Sequence, residues 1–493
     1  MSRREYSRRS RPHIMLLDIG VNMVFSSAPF LFVFLPIIWL LCFFIKSRPW
    51  QNAILVVASL LFYAYGEPTF VIIMVISVFF NYIFAILIAS IWGRRRLFLV
   101  LSVIFNLALI GVFKYAALFV STINGITGAG LPVPQIALPI GISFFTFQAM
   151  SYVIDVYRNP RLLQRNFGKV LLYISFFPQL IAGPIVKYHD VMEYIDNRTM
   201  DLEGVATGIR RFILGLSKKL MIANTCGLIS DNMFNLPGSS MSTASAWLGA
   251  VCYTLQIYFD FSGYSDMAIG LGRMFGFKFL ENFDHPYDSA SMKEFWRKWH
   301  ISLSTWFKEY LYIPLGGNRK GKVRTEINKL IVFFFTGMWH GASWNFVLWG
   351  MIHGVSVVIE DVVSPKQDKI WKRIIGHIYT LLIVICAFVL FRADTFAMSG
   401  DMLYHMFVPT ASGLDAINTC VSSLTPWNTM WMGIGVVLSL PVLQVMQRRL
   451  KEKDEKTYVV LDRLGYVGAM ILFVLCIMNI ATASYNPFIY FRF

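Results

Sequence analysis

The sequence predicts an all-α, polytopic integral membrane protein. Of its 493 residues, 56% are hydrophobic and only 15% are charged. Uninterrupted apolar runs of about 20 residues, the length that crosses a bilayer as a helix, recur along the chain. Membrane β-barrels alternate apolar and polar residues instead, and an aromatic content of 16% is far too high for a disordered chain. The net charge of +16 therefore indicates basic cytoplasmic loops and not a soluble nucleic-acid-binding protein.

The apolar stretches follow one another over most of the chain, and we expect about a dozen crossings or part-crossings. They cover residues 30–45, 52–65, 69–91, 97–119, 141–157, 170–186, 204–222, 245–261, 330–359, 374–390, 431–445 and 464–481. Basic residues flank many of them, as in the arginine triplet at 94–96, and these flanks are predicted to be cytoplasmic.

Two of the apolar regions are interrupted by Gly and Pro, at residues 138–141 and 182–184. Irregular backbone at membrane depth is tolerated only where protein buries it or where it lines a cavity. These interruptions therefore predict re-entrant elements around an internal chamber. A helix that is merely kinked at proline is the alternative.

The first 22 residues differ from the rest of the chain because they are basic, with Arg3, Arg4, Arg8, Arg9 and Arg11. A cleavable signal peptide is not expected, since Asp18 interrupts the apolar segment that would form its core. We interpret residues 1–22 as a basic extension, which a misassigned start before Met23 would explain. Residues 23–493 are predicted to form a single membrane domain whose motif core spans residues 258–354.

Polar residues concentrate between Asp260 and Gly354, in contrast to the apolar flanks. This region contains Asp260, Asp266, Asp284, His285, Asp288, Glu294, Arg297, His300, Arg319, His340 and His353. Polar groups inside a membrane protein are costly and mark functional sites by default. We therefore place the candidate site in this region.

A single interfacial helix is predicted from residue 291 to residue 310. Ser291 and Glu294 have the spacing of a capping box, which satisfies the free N–H groups at a helix start. The aromatic and apolar residues that follow recur at helical intervals. In this helix, His300 would lie on a stripe beside Trp296 and Leu303.

His340 is the strongest candidate for a catalytic side chain. It follows Lys329 by 11 residues, about 16 Å of helix, which corresponds to mid-bilayer depth if Lys329 lies at the membrane surface. A buried neutral imidazole would be a suitable general base for a hydroxyl. The alternative is a packed histidine bonded to the backbone. His300 is a weaker catalytic candidate, and His353 is expected to have a packing role.

Other kinds of site are not indicated by the residue spacing. The histidines lack the spacing of a metal site, so no bound metal is expected. There is no P-loop and no nucleophile elbow, and therefore no sign of an ATP-driven pump or an α/β-hydrolase. Ordinary ion pairs are expected between Asp266 and Arg273 and between Asp288 and Arg297.

Several motifs occur in an order that is typical of one family. The main ones are YFDFSGYSD at 258–266, EFWRKWHISLS at 294–304, YIPLGG at 312–317 and GMWHG at 337–341. Further matches are MVFSS at 23–27, FYAYGEP at 62–68, PQLIAGPI at 178–185, FRA at 391–393 and NPFIYF at 486–491. The chain from Met23 onward resembles the membrane-bound O-acyltransferase superfamily, in its branch of bacterial alginate O-acetyltransferases and teichoic-acid D-alanyl transferases.

The resemblance implies a helical membrane fold with a central funnel and tunnel, located in the bacterial cytoplasmic membrane. It assigns the family's principal histidine to His340 and a second one to His300. Substrate-binding or tunnel-lining candidates within the motifs are Gln179, Asp260, Ser262, Asp266, Trp296, Arg297, Trp299, Trp339 and Asn345.

The implied reaction moves an acetyl group from a cytoplasmic thioester, acetyl-CoA, toward hydroxyls of an alginate-like or cellulose-like extracellular polysaccharide. No permanently bound cofactor is expected. The implied partners are an extracytoplasmic acetyltransferase of the SGNH-hydrolase type, polysaccharide synthesis and export proteins, and membrane lipid. The alternatives are D-alanyl transfer to teichoic acid from a carrier protein, transport of a lipid-linked sugar, and a structural role in a synthesis complex.

Overall fold

Helices account for the regular secondary structure in the part of the chain that the computed structural model describes, which confirms the all-α prediction. That part comprises residues 23–90, 92–363, 369–411, 413–482, 485–487 and 489. The basic extension predicted at residues 1–22 lies outside the described residues.

The helices follow the apolar pattern of the sequence. The amino-terminal part contains α1 (Leu35–Phe44), α2 (Arg48–Gly66), α3 (Phe70–Ser90), α4 (Arg95–Ile110) and α5 (Ala116–Thr127). The middle part contains α6 (Ile142–Arg158), α7 (Phe167–Ser175), α8 (Phe177–Leu180), α9 (Tyr188–Asn197), α10 (Leu202–Ser217), α11 (Asn224–Phe234) and α12 (Thr243–Met274).

The motif core forms α13 (Met292–Lys298), α14 (Ile301–Phe307), α15 (Lys322–His340) and α16 (Trp344–Val363). The carboxyl-terminal part contains α17 (Ile370–Arg392), α18 (Phe396–Phe407), α19 (Leu414–Ser423), α20 (Pro426–Leu438), α21 (Val442–Lys453) and α22 (Glu455–Thr482). Wider π-helical turns occur at Phe30–Phe34, Gly111–Tyr115, Lys218–Ala223 and Lys308–Tyr312.

Six helices in the described residues are long and apolar enough to cross a membrane, and the bent pair α20 and α21 raises the number to as many as seven. They are Phe70–Ser90, Arg95–Thr127, Leu202–Phe234, Trp344–Val363, Ile370–Arg392 and Glu455–Thr482. The other predicted crossings correspond to shorter or more polar helices. α22 has many exposed apolar side chains, as expected of a helix that faces lipid.

Three predicted spans have different limits in the structure. The span predicted at 245–261 is part of the longer helix α12. In the span predicted at 170–186, the helix ends at Ser175, and the chain continues as short and irregular segments. The one at 330–359 is two helices, because the chain turns at residues 341–343, where the carbonyl of Ser343 accepts a hydrogen bond from the N–H of Phe346.

α12 forms the centre of the molecule and packs against α10, α11, α17 and α18. Every residue from Cys252 to Gly272 is buried. Glycines allow the close approach of α10, since a Cβ added to Gly215 would lie 2.5 Å from the carbonyl oxygen of Gly263. Small residues at helix contacts are a common device in membrane proteins, where dispersion between backbones replaces the hydrophobic effect.

Candidate active site

His340 is the last residue of α15, and its side chain is only 6% exposed. Its ring lies in an aromatic enclosure, with centroid distances of 4.8 Å to Trp339, 4.9 Å to Trp349 and 5.2 Å to Phe391. Among the described residues, no hydrogen-bond partner occupies the Nε2 atom. The structure thus gives His340 a buried position with one ring nitrogen available for chemistry.

A cavity of about 100 Å³ adjoins this histidine, which is room for a few water molecules or a small acyl group. Its wall includes Lys114, Leu138, Pro139, Ile140, Gly141, Ile142, Ser143, Phe144, Ile181, Trp339 and His340. The irregular segment at 138–141 therefore lines a cavity, as predicted for irregular backbone at this depth. The other interruption, at 182–184, is fully buried directly after Ile181.

Gly141 packs closely against the chain just before the second interruption. Its φ is +75°, a left-handed conformation that glycine adopts without strain. A Cβ at this position would also lie 2.8 Å from the carbonyl oxygen of Leu180. Both the backbone angle and the close approach therefore require glycine at this corner of the cavity.

The π-helical turn Gly111–Tyr115 fixes the end of α15. Lys114 Nζ donates to the carbonyl oxygen of Trp339 at 2.5 Å, and the Tyr115 hydroxyl donates to that of Met338 at 2.5 Å. These carbonyls belong to the last turn of α15, whose C=O groups lack N–H donors within the helix. A cation is also favourable at the negative end of the helix dipole.

A second cavity, of about 310 Å³, lies on the other side of Lys114 and Leu138. Its wall is formed by Val112, Phe113, Lys114, Ala117, Pro134, Ile136, Leu138, Gly341, Ala342, Ser343 and Phe346. Because Lys114 and Leu138 belong to both walls, the two cavities are neighbours.

The prediction of one continuous helix from 291 to 310 is wrong, because the helix breaks at Trp299 and His300. α13 ends at Lys298, and His300 has φ +44° and ψ +55°, a left-handed conformation. This conformation costs a non-glycine residue about 1–3 kcal/mol and is frequent at functional sites. The incoming segment stabilises the break, since the N–H of Asp284 donates to the carbonyl of Lys298 and the N–H of Ile301 to that of Asn282.

Asn282 also holds the His300 side chain. Its Oδ1 lies 3.2 Å from His300 Nδ1 and accepts hydrogen bonds from the N–H and the hydroxyl of Ser302. The Nδ2 of Asn282 donates to the Ser265 hydroxyl at 3.1 Å. His300 is fully buried, and Asn282 is 1% exposed. The left-handed turn and this amide together fix the orientation of the imidazole.

The hydrogen bonds assign the tautomer of the neutral His300 ring. The Ser302 backbone N–H can only donate, so the Asn282 atom that it contacts is the amide oxygen. His300 Nδ1 must then carry the hydrogen that it donates to this oxygen. Its Nε2, which has no partner among the described residues, is therefore an acceptor.

The structure brings the two candidate histidines together, with ring centroids 6.5 Å apart. Trp339 contacts both rings, at 5.7 Å from His300 and 4.8 Å from His340. Of the two rings, that of His340 lines the small cavity, where a neutral imidazole could accept a proton from a bound hydroxyl. The catalytic roles of both residues remain predictions.

Two of the predicted lining residues, Asp260 and Asp266, form ion pairs on α12. Asp260 pairs with Lys219 at 2.6 Å and accepts a hydrogen bond from the backbone N–H of Ile489. Asp266 pairs with Arg211 and Lys218, both at 2.6 Å. The lysines come from the π-helical turn Lys218–Ala223, where it packs against α12.

Both ion pairs expected from the sequence are wrong. Asp266 pairs with Arg211 of α10 and Lys218 of the π-helical turn, and not with Arg273, because these two elements pack directly on α12. Asp288 lies 3.8 Å from Lys298 and not beside Arg297. Arg297 is on the exposed face of α13, where its Nε donates to the carbonyl of Lys293.

The remaining predicted lining residues are mostly in packing positions. Trp296 donates to His353 Nδ1 at 3.3 Å, and Trp299 stacks with Phe295 at 5.5 Å. His353 is fully buried in this aromatic cluster, and its packing role stays a prediction. Trp339 lines the cavity at His340.

Three other candidates are buried polar residues on different elements. Asn345 donates to the carbonyl of Ala393 at 2.9 Å, and Gln179 donates to that of Tyr173 at 2.5 Å. The Ser262 hydroxyl has no hydrogen-bond partner among the residues that the structure covers. The predicted capping of α13 is confirmed for Ser291, which accepts from the N–H of Glu294 at 3.1 Å.

Sequence reasoning missed Lys114, Asn282 and Ser302. Lys114 had a recognisable signal, because it is a charged residue inside the apolar stretch 97–119. Asn282 lies in the unremarkable connection between two motifs, and nothing in its local sequence indicates that it contacts His300. Ser302 lies in the motif EFWRKWHISLS, but the predicted helix concealed its contact with Asn282.

Comparisons with known proteins agree with this fold. A sequence model of the membrane-bound O-acyltransferase family matches residues 164–402. The probable alginate O-acetylase of Pseudomonas putida is 38% identical, covering 96% of this chain and 100% of that protein. The peptidoglycan O-acetyltransferase of Helicobacter pylori is 34% identical over 83% of each chain. The teichoic acid D-alanyltransferase of Streptococcus thermophilus is 29% identical, covering 51% of this chain and 68% of that protein. The chain is therefore a multi-pass integral membrane O-acyltransferase that belongs to the membrane-bound O-acyltransferase family.

Proposed function

We propose that this enzyme transfers an acetyl group from acetyl-CoA toward hydroxyls of an extracellular or cell-surface polysaccharide. It would act in the cytoplasmic membrane of a bacterium, with the thioester reaching the site from the cytoplasm. The full-length similarity to a probable alginate O-acetylase and the similarity to a peptidoglycan O-acetyltransferase support the acetyl group and the polysaccharide. The observation that carries the proposal is that His340 lines the cavity and that its Nε2 has no hydrogen-bond partner among the described residues.

In the proposed reaction, His340 acts as the general base. Its Nε2 takes the proton of an acceptor hydroxyl while the hydroxyl oxygen attacks the thioester carbonyl carbon. The carbon–sulfur bond then breaks, and the departing thiolate takes the proton from the imidazolium. General base catalysis of this kind contributes about 10²–10⁴-fold in rate. Attack by the imidazole itself, giving an acyl-histidine intermediate, is the alternative sequence of steps.

The final acceptor could receive the acetyl group directly or through a partner. We propose that an extracytoplasmic acetyltransferase of the SGNH-hydrolase type takes up the group and that polysaccharide synthesis and export proteins deliver the polymer. The two neighbouring cavities, which share Lys114 and Leu138 in their walls, support the passage of a small acyl group through this part of the molecule.

The direct test is His340→Ala in a host that carries the whole gene cluster. We expect acetyl content of the surface polymer to fall by about 10²-fold or more, with normal amounts of the protein in the membrane. His377→Ala is the matched control, because His377 is a half-buried histidine on α17, and it should leave acetylation intact. Unchanged acetyl content in the His340 variant would refute its assignment as the base.

D-alanyl transfer from a carrier-protein thioester is the second candidate, favoured by the similarity to a teichoic acid D-alanyltransferase. Purified protein in lipid vesicles should be incubated with labelled acetyl-CoA and, separately, with a D-alanyl carrier protein. Label that moves from acetyl-CoA to oligosaccharides supports the acetyl proposal, while transfer from the carrier protein alone contradicts it. A transporter would leave both thioesters intact.

A further inference from the structure

We propose that Lys114 is a catalytic residue that binds the carbonyl oxygen of the acyl donor and stabilises its negative charge in the transition state. This inference rests on the proposed acyl transfer and assigns its electrophilic partner. Lys114 is 8% exposed and belongs to the wall of the cavity that also contains His340. A cation is thus placed in the same small chamber as the candidate base.

The bonding of Lys114 leaves capacity for a ligand. An ammonium group has three N–H donors. One bonds the carbonyl of Trp339 at 2.5 Å, and a second makes a long contact of 3.5 Å with the Ser143 hydroxyl. No salt bridge joins Lys114 to a carboxylate within the described residues. A buried charge without a counter-ion is costly, so such a residue is expected to meet negative charge during function.

The surroundings fix the direction of the Lys114 side chain. The Trp339 carbonyl belongs to the carboxyl end of α15, where the helix dipole stabilises a cation. The π-helical turn Gly111–Tyr115 holds the lysine against this helix end. π-helical turns of this kind are frequent at functional sites. The same contact ties Lys114 to the residue that precedes His340, so the cation and the base are held together.

His300 is a poor choice for this role. Its Nδ1 carries the hydrogen that bonds Asn282, so the Nε2 of the neutral ring accepts hydrogen bonds and cannot donate one to an oxyanion. Stabilisation of an oxyanion needs donors aimed at the developing charge. Within the wall of the cavity, Lys114 is a side chain whose polar hydrogens are all donors and which is cationic when protonated.

The step balances as follows. The acceptor oxygen forms a bond to the thioester carbon, its proton moves to His340 Nε2, and the carbonyl electron pair moves to the oxygen held by Lys114. When this oxyanion collapses, the carbon–sulfur bond breaks and the thiolate takes the proton from His340. The products are an ester and a free thiol, and Lys114 keeps its protons throughout.

The experiment compares Lys114→Met, Lys114→Arg and Tyr115→Phe in the full chain, purified into lipid vesicles. The assay follows transfer from labelled acetyl-CoA to oligosaccharides prepared from the host's extracellular polymer. Lys114→Met keeps the length of the side chain but removes the donors, and it should lower kcat by about 10²–10³-fold with the KM for acetyl-CoA within about threefold. Lys114→Arg keeps the charge, and its kcat should be at least about tenfold higher than that of Lys114→Met.

Tyr115→Phe is the control for a purely structural role, because it removes the neighbouring hydrogen bond to the same helix end. We expect it to lower kcat by less than about threefold. Thermal unfolding of each variant identifies any that fails to fold. The inference is overturned if Lys114→Met and Tyr115→Phe lose equal activity, if Lys114→Met raises KM with kcat unchanged, or if a folded Lys114→Arg is as inactive as Lys114→Met.

Failure of the proposed function has a different signature. If the wild-type protein uses a D-alanyl carrier protein and not acetyl-CoA, the acetyl assignment is overturned. The three variants are then assayed with that thioester as the donor, and the same ratios of kcat between variants decide the role of Lys114. If the wild-type protein transfers neither group, both proposals are overturned.

Discussion

Replacement of Asn282 by alanine should separate the orientation of His300 from the stability of the fold. The substitution removes the amide that contacts the His300 ring, the N–H and hydroxyl of Ser302, and the Ser265 hydroxyl. At about 1 kcal/mol net for each hydrogen bond, and without strict additivity, the loss of stability is about 2–4 kcal/mol. His300 is a predicted catalytic residue, and a displacement of such a group by about 1 Å costs about 10²-fold in rate, so we expect kcat to fall by this factor.

A matched control comes from Asn106, which is also fully buried and bonds Asn81 and Ser102 between α3 and α4. Asn106→Ala should lower the unfolding temperature by a similar amount, with a change in kcat of less than about threefold per folded molecule. The assay is acetyl transfer in vesicles, normalised to folded protein by thermal unfolding.

The double variant Asn282→Ala/His300→Ala gives a second readout. If Asn282 acts by positioning His300, the double variant should be no slower than His300→Ala alone. Equal activity of Asn282→Ala and Asn106→Ala per folded molecule, or additive losses in the double variant, would refute the reasoning.

Two further predictions concern the fold. Gly215→Ala should destabilise the protein by about 1–3 kcal/mol, because the added Cβ would lie 2.5 Å from the Gly263 carbonyl oxygen. Gly468→Ala is the control and should be neutral, since a Cβ at this position meets no atom within 4 Å. Thermal unfolding measures both effects. A hydrogen bond to Asp155 raises the pKa of His189, so the stabilisation is complete below the pKa of the unfolded state and is lost as pH rises through the higher pKa of the folded state. The difference in unfolding temperature between the wild type and His189→Gln should therefore shrink from pH 6 to pH 9, and a constant difference would contradict this linkage.

Local patterns were sufficient for the parts of the molecule that depend on neighbours in sequence. Long apolar runs form helices in a membrane because the backbone must satisfy its own hydrogen bonds there. The interruption at 138–141 indicated a cavity for the same reason, and the apolar run before His340 is helical, as its pattern predicted. The start of α13 at Ser291 was readable from its capping residues.

The break at His300 could not be read from the same patterns. The spacing of Met292, Phe295, Trp299 and Trp306 fits one continuous helix, and the helix ends early only because residues 282–284 bond the carbonyl and N–H groups around Trp299 and His300. The ion pairs of Asp266 were misjudged for a related reason. A carboxylate pairs with whichever cationic side chain the packing brings near. The cations that pair with Asp266 come from α10 and the π-helical turn, which are far from it in sequence.

The sequence by itself determined the class of the protein, the sequence of its helices and the two histidines that its motifs contain. The tertiary structure decided what these histidines contact. Lys114 and Trp339 are 225 residues apart in the chain, yet their hydrogen bond sets the end of α15 where His340 lies. Helix formation depends on local periodicity, whereas the position of a catalytic group depends on contacts between distant segments, and only folding brings those together.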